Sequence, residues 1–147
     1  MLWLRAGLVQ DTGPGHTDGH TDLFLAFVAE DRCVMLAPTG PDDPNGEILA
    51  ENRARVAALG VSIVDVPLLP VFEHEGKQVV APHLNFYLCN GGVVVPVAGF
   101  DPGEDAEALR IIGSVVPGRE VVPVPMRAHP TQGGAVHCIT QQVPLPR

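Results

Sequence analysis

The fold is indicated most clearly by the stretch NFYLCNGGVVVPV, residues 85–97. Two apolar runs rich in aromatic and β-branched residues flank Asn90-Gly91-Gly92, and Asn-Gly between such runs is typical of a tight β-hairpin turn. A second pair of apolar runs, Leu23–Val28 and Val34–Leu36, lies on either side of a polar turn, Glu30-Asp31-Arg32. The sequence therefore predicts two pairs of neighbouring strands.

A helix is predicted after the early strand pair. Asp42 or Asp43 can cap its first turn, which contains Pro44. Ile48, Leu49, Asn52, Val56 and Leu59 then recur at helical spacing, and Gly60 ends the helix.

The remaining elements complete a pattern that repeats imperfectly. They are strands at Leu2–Leu4, Val61–Val66 and Val121–Val124, a loop at Gln10–Gly19, and a second helix at Ala106–Val115 that follows Glu104 and Asp105. The order contains roughly two units of helix, strand and hairpin. No linker is evident, so the residues alone predict one mixed α/β unit.

Composition sets the class of protein. The chain has 147 residues, of which 46% are hydrophobic and 18% charged, as expected for a globular domain with a real core. Its net charge of −8 argues against a nucleic-acid partner and is compatible with a cationic substrate. No apolar run is long enough to cross a bilayer, and Met1–Arg5 does not begin a signal peptide. We therefore expect a cytoplasmic protein with no membrane association.

The tail QGGAVHCITQQVP, residues 132–144, presents a candidate nucleophile. Glycines ahead of Cys138 allow a ligand to approach the backbone closely, and a cysteine so flanked at the end of a strand is typical of a reactive thiol. The alternative is an inert, buried cysteine. His137 would point away from Cys138 if both lay on a strand. Cys33 and Cys89 are interpreted as core residues, and no disulfide framework is predicted.

The block TDGHTD, residues 17–22, offers further chemistry. His20 is suited to proton transfer near neutral pH. At strand spacing, Asp22 would lie on the same face and could accept hydrogen bonds from a guanidinium group. The alternatives are a turn-capping histidine and a strand-entry cap. Together with His16 and Asp18, the alternating ligands also allow a metal site.

These motifs resemble those of the agmatine deiminases and the related bacterial-type peptidyl-arginine deiminases. The tail is similar to their C-terminal signature, with Ala135 at a position where a third small residue is usual, and TDGHTD at residues 17–22 is similar to their Thr-Asp-Gly-His-x-Asp block. Residues 43–49 and 85–91 match two further family landmarks in the same order. Members of the family are more than twice as long, so residues 1–147 resemble their C-terminal portion only, with the N-terminal half absent.

The resemblance implies a fold and an activity. The fold would be the pentein propeller of five αββαβ units, of which this chain would supply two to three. The activity would be hydrolysis of agmatine to N-carbamoylputrescine and ammonia, in putrescine and polyamine biosynthesis, with no metal or organic cofactor. Cys138 would attack the guanidinium carbon, His20 would transfer protons and Asp22 would bind substrate. Asn85 and Asn90 match the family but receive no chemical role.

The same resemblance raises two alternatives. In the family, a second substrate-binding aspartate and a catalytic glutamate come from the N-terminal half, so the chain could be an inactive fragment or a non-catalytic subunit. It would then associate with an N-terminal complementing chain or form a homo-oligomer, because unpaired strand edges favour association. Protein-arginine deiminase activity is the second alternative, since agmatine and peptidyl-arginine share the guanidinium group.

Overall fold

The structure is a computed structural model that describes residues 4–5, 19–66, 71–74, 77–126 and 134–143. Most of the predicted strand at residues 2–4 and of the loop at residues 10–19 lies outside these ranges. Within the described ranges, neither helix has the length and apolar character needed to span a bilayer.

The early strand pair is a hairpin, as predicted. Leu25–Ala29 (β1) runs antiparallel to Arg32–Leu36 (β2), with Leu25 opposite Met35. Gly46–Ala57 (α1) then crosses over, and Ser62–Val66 (β3) returns parallel to β2. Strand order in this sheet is β1-β2-β3.

A hairpin that the sequence analysis did not predict follows the first sheet. Val71–His74 (β4) pairs antiparallel with Lys77–Val80 (β5) in a separate two-stranded sheet. The predicted pattern ended the preceding strand at Pro67 and Pro70 and assigned nothing to the residues after them.

The second three-stranded sheet repeats the topology of the first. Tyr87–Cys89 (β6) and Gly92–Val97 (β7) form the predicted hairpin, and Gly91 adopts the positive φ of 79° that its turn requires. Pro102–Val115 (α2) crosses over to Glu120–Pro125 (β8), which lies parallel to β7. The predicted repeat of elements is thus confirmed as two ββαβ units.

One continuous core joins the two units. It contains the buried faces of β2 and β7 together with apolar side chains of both helices, among them Val34, Val95, Leu49 and Ile112. Since neither sheet could bury both its faces alone, the shared core holds the two units together.

Both helices begin at positions different from those predicted. Asn45, not an aspartate, is the N-cap of α1, and its side chain makes no capping hydrogen bond. Asp43 instead accepts hydrogen bonds from the backbone of Thr39 and Asn45, so it stabilises the preceding turn. In α2 the helix starts four residues earlier than expected, because Asp101 accepts hydrogen bonds from the N–H groups of Gly103 and Glu104.

Asn52 is a polar residue on the buried face of α1, and its hydrogen bonds account for its burial. Its side chain is fully buried, and its amide pairs with both backbone groups of Arg5, at 2.6 Å from the Arg5 nitrogen and 3.1 Å from the Arg5 oxygen. Such a pairing satisfies a buried amide much as a neighbouring strand would. It fixes the described part of the N-terminal segment against α1.

Asp105 is a partly buried acceptor that links α2 to the loop before it. Its carboxylate accepts hydrogen bonds from the backbone of Ala98 and Gly99 and lies 2.6 Å from Nε2 of His83. We expect Asp105→Ala to lower the free energy of unfolding by about 2–4 kcal/mol, because the buried His83 and Ala98 and the exposed Gly99 all lose their hydrogen-bond partner. Urea denaturation would measure this. Asp42→Ala, at an exposed position, should change stability by less than about 0.5 kcal/mol, and equal effects of the two variants would contradict the structural role of Asp105.

Candidate active site

Cys138 lies in a tight turn rather than at the end of a strand, so that prediction was wrong. His137–Ile139 form a single turn of 3-10 helix. The turn is held from outside the tail, because the backbone oxygen of Asn85 accepts the N–H of His137 at 3.0 Å. It is also closed locally by the Thr140 N–H and hydroxyl, which both donate to the His137 oxygen. The thiol is consequently presented on an exposed turn.

Gly134 makes room for the cysteine itself. Its φ is +108°, and a Cβ at this position would lie 3.0 Å from both Cβ and Sγ of Cys138. Both the backbone conformation and the close approach exclude other residues. The glycines were predicted to allow close approach of a ligand, whereas at Gly134 the space is occupied by the thiol side chain.

Asp22 is brought next to Cys138 from the other end of the chain. It lies in a 3-10 turn, Thr21–Leu23, and not on a strand as predicted. Its Oδ2 is 3.4 Å from Sγ of Cys138 and 2.8 Å from Nδ1 of His137. His137 was predicted to point away from Cys138 if both lay on a strand. They lie in a helical turn, which does not alternate faces, and His137 contacts the same carboxylate oxygen as the thiol.

The second oxygen of Asp22 has no partner among the residues that the structure describes. Oδ1 is buried and accepts no hydrogen bond there, while Oδ2 is shared by His137 and Cys138. A buried carboxylate oxygen without a donor is unfavourable unless a ligand supplies one. Asp22 is thus arranged to accept a hydrogen bond from a bound cationic group.

Asn85 is a site residue to which the sequence analysis assigned no chemical role. It is fully buried, its Nδ2 donates to Sγ of Cys138 at 3.2 Å, and its Oδ1 accepts the N–H groups of Ala135 at 3.0 Å and Cys138 at 3.3 Å. The only sequence signal was its place in the landmark at residues 85–91. Asn90, in the exposed hairpin turn, shows no comparable contact to the site.

His20 immediately precedes the turn that carries Asp22. Its side chain is exposed, and no hydrogen bond joins it to Asp22 or Cys138. Its role in proton transfer therefore stays a prediction. His16 and Asp18 lie outside the described residues, and among those described no three His, Cys, Asp or Glu side chains form a group suited to a metal ion.

The surroundings of Cys138 favour the neutral thiol. Partial burial raises its pKa above the usual value, and the Asp22 carboxylate acts in the same direction, while hydrogen bonds from the Ala135 backbone and the Asn85 amide oppose the rise. Cys33 is fully buried, and burial raises its pKa as well. Cys89 is half-buried and donates to the Gly92 oxygen at 3.5 Å. Of the three thiols, Cys138 is the exposed one.

A cavity of about 600 Å³ opens beside Asp22. Its polar side is formed by Arg5, Thr21, Asp22, His137 and Gln142, and its apolar side includes Phe27 and other side chains of β1 and β6. The Arg5 guanidinium is paired with Glu47 and Glu51 of α1. Cys138 borders Asp22 but does not itself line this space. A ligand with a cationic group at Asp22 and an aliphatic remainder would suit such walls.

Comparison with known proteins places the chain in a family. The sequence profile of the Porphyromonas-type peptidyl-arginine deiminases matches residues 1–144. An agmatine deiminase of Pseudomonas aeruginosa (strain UCBPP-PA14) is 36% identical over 100% of this chain and 45% of its own length. An agmatine deiminase of Stutzerimonas stutzeri is 35% identical over 99% and 45% of the two chains.

Solved structures agree with the sequence relatives. A candidate arginine deiminase of Porphyromonas gingivalis superimposes with a TM-score of 0.81 at 28% identity, over 96% of this chain and 42% of that one. The agmatine deiminase of C. jejuni gives a TM-score of 0.77 at 21% identity, over 93% and 40%, and so supports the fold alone. The chain spans less than half the length of these relatives and contains part of their pentein fold. On its sequence and its fold, the chain belongs to the Porphyromonas-type peptidyl-arginine deiminase family.

Proposed function

We propose that this chain carries the nucleophile of an agmatine deiminase-type hydrolase. The observation that supports this most is the contact between Asp22 and Cys138. A carboxylate whose buried Oδ1 has no partner among the described residues lies 3.4 Å from an exposed thiol. A guanidinium group bound to that carboxylate would place its carbon within reach of the sulfur. The two groups that the reaction needs, an anion for the cation and a nucleophile for its carbon, are therefore adjacent.

The charge of the substrate would also activate the nucleophile. In the free site, burial and the Asp22 charge raise the pKa of Cys138 and keep it as a thiol. A guanidinium bound at Asp22 neutralises that charge and adds a positive one beside the sulfur, so the thiolate becomes more stable. Cys138 would thus gain reactivity when the correct cation is present.

The reaction that this arrangement supports has two halves. The Cys138 thiolate adds to the guanidinium carbon, and the tetrahedral adduct expels ammonia after a proton reaches the departing nitrogen, which leaves an amidino-thioether. Water, losing a proton to a base, then adds to the same carbon, and the carbon–sulfur bond breaks to give the ureido product and free thiolate. We assign the proton transfers to His20, which His137 near Asp22 could assist.

We further propose that residues 1–147 correspond to the C-terminal portion of the catalytic domain of the longer relatives. In this proposal another portion supplies a second carboxylate for the guanidinium and a catalytic glutamate. The protein would act in the cytoplasm, in the formation of putrescine from agmatine, without a cofactor. Peptidyl-arginine is the second candidate substrate, because the family description names it.

Purified alone, the 147-residue chain should hydrolyse agmatine slowly or not at all, and it should self-associate. A guanidinium held by one carboxylate instead of two is less well positioned, and misplacement by about 1 Å can cost on the order of a hundredfold in rate. Ammonia release with agmatine and with an arginyl peptide, and size-exclusion chromatography, would measure both properties.

Addition of an N-terminal half taken from a relative such as the P. aeruginosa enzyme should increase turnover and reduce self-association. The matched control is the same mixture prepared with Cys138→Ala. If the native chain alone is a monodisperse monomer with efficient turnover, the incomplete-site proposal is wrong. If the complemented pair stays inactive on both substrates, the chain is better described as a non-catalytic subunit.

A further inference from the structure

We propose that Asn85 is a positioning residue of this site, which donates an amide N–H to the Cys138 sulfur and fixes the backbone on which that sulfur is carried. The inference rests on the proposed function, since it concerns the same nucleophile. Its evidence is separate, however, because it comes from the contacts of a buried amide and not from the pairing of Asp22 with Cys138.

The orientation of the Asn85 amide is determined by the backbone around it. Its Oδ1 faces two N–H donors, those of Ala135 at 3.0 Å and Cys138 at 3.3 Å. An amide turned over would place its NH2 group against both donors and lose both hydrogen bonds. The NH2 group must therefore face the Cys138 sulfur, at 3.2 Å.

The sulfur consequently lies between a donor and an acceptor. The Asn85 NH2 group can only donate to it, whereas Asp22 Oδ2, at 3.4 Å, can only accept from it while ionised. In the neutral state the S–H donates to Asp22 and the sulfur accepts from Asn85. When a cation occupies Asp22 and the thiol loses its proton, the hydrogen bond from Asn85 remains and stabilises the thiolate.

Asn85 is itself held rigidly enough for this role. It is fully buried, its N–H donates to the Pro82 oxygen at 2.9 Å, and its oxygen accepts the His137 N–H at 3.0 Å. Two residues earlier, His83 is fixed to Asp105 of α2. The turn that presents the amide is thus tied both to the core and to the cysteine turn, as positioning of a reactive group requires.

Asn85→Asp tests the donor with little change in shape. The carboxylate can still accept the two backbone N–H groups, which favour its ionised form, but its second oxygen would face the sulfur as an acceptor. The readout is the rate of iodoacetamide alkylation at Cys138, mapped by peptide mass spectrometry across pH. We expect an alkylation rate roughly tenfold to a hundredfold lower at neutral pH, with the pH profile displaced to higher pH. The reason is that the thiolate loses the hydrogen bond from the Asn85 NH2 group and gains a negatively charged carboxylate as its neighbour.

Asn90→Asp is the matched control. It makes the same substitution in the exposed hairpin turn, where aspartate before glycine is well tolerated, and it should leave the profile unchanged within about twofold. Cys33, which is fully buried, reports the fold in each sample, since it should stay unlabelled in a folded protein. An Asn85→Asp profile equal to that of Asn90→Asp, with Cys33 protected, would overturn the proposal.

If Cys33 becomes labelled in Asn85→Asp, that variant is misfolded, and the role of Asn85 is tested in the native protein instead. In ¹⁵N-labelled chain, the side-chain NH2 resonances of Asn85 should shift with the same midpoint as Cys138 alkylation, and Cys138→Ala should abolish that shift. Absence of the shift in the native chain would overturn the proposal. These measurements require no deiminase turnover, so a complemented chain that stays inactive while Cys138 shows the expected profiles would contradict the proposed function and leave the role of Asn85 intact.

Discussion

Cys138→Ala should abolish labelling by a haloacetamidine probe, whose amidinium mimics the guanidinium of the substrate and whose halide is displaced by a thiolate. Cys138 is the exposed cysteine and the one beside a carboxylate. Agmatine hydrolysis by the complemented chain should fall to background as well, because the proposed covalent intermediate forms on the Cys138 sulfur. Intact-mass and peptide mass spectrometry would measure the labelling.

Cys89→Ala is the appropriate control for that experiment. Cys89 is half-buried in the second hairpin and makes its contact with Gly92, so its loss should leave both labelling and turnover nearly unchanged. If the probe still reacts with Cys138→Ala and the adduct maps to Cys33 or Cys89, the assignment of the nucleophile is wrong.

Asp22→Asn should change two properties in opposite directions. The loss of the carboxylate removes the partner of the cation, so agmatine turnover by the complemented chain should fall roughly 30-fold to 1,000-fold. The same loss removes a negative charge that raises the pKa of Cys138, so that pKa should fall. Neutral iodoacetamide should then alkylate Cys138 faster at neutral pH than in the native chain.

Asp65→Asn serves as the control for Asp22→Asn. Asp65 pairs with Arg53 on the exposed side of the first sheet, away from the cysteine turn, and its loss should affect neither measurement. A variant of Asp22 that lost both turnover and alkylation would indicate a collapsed site and contradict the specific role of the carboxylate. Unchanged turnover would show that the guanidinium is bound elsewhere.

The elements with local signals were predictable from the sequence. The Asn90-Gly91 turn requires a positive φ at Gly91, and the strands on both sides are rich in apolar residues. The second hairpin is therefore determined by a few adjacent residues. Helix α1 was likewise predictable, because its apolar residues recur at helical spacing and two of them, Leu49 and Val56, are buried against the core. Its start was not predictable in the same way, since Asp43 can stabilise either a cap or a turn.

The geometry of the site depended on distant contacts. Val136 and Ile139 are β-branched residues typical of a strand. Asn85, which lies 53 residues from Cys138, accepts the backbone N–H groups of both His137 and Cys138 and so helps to hold the segment in a 3-10 turn. The approach of Asp22 to Cys138 joins residues 116 apart. Periodicity in a single sequence contains no information on such pairs, so the types of the site residues were predictable and their arrangement was not.

The most direct test of the account compares two probes of equal size and different charge. The rate of reaction of Cys138 with chloroacetamidine is divided by its rate with neutral chloroacetamide, for the native chain and for Asp22→Asn, with free cysteine in solution as the reference thiol. We predict a ratio at Cys138 well above that of free cysteine in the native chain, and a fall to the reference value in Asp22→Asn, because the carboxylate binds the cation beside the nucleophile. Equal ratios at Cys138 in the two proteins would contradict the claim that Asp22 and Cys138 together form a guanidinium site.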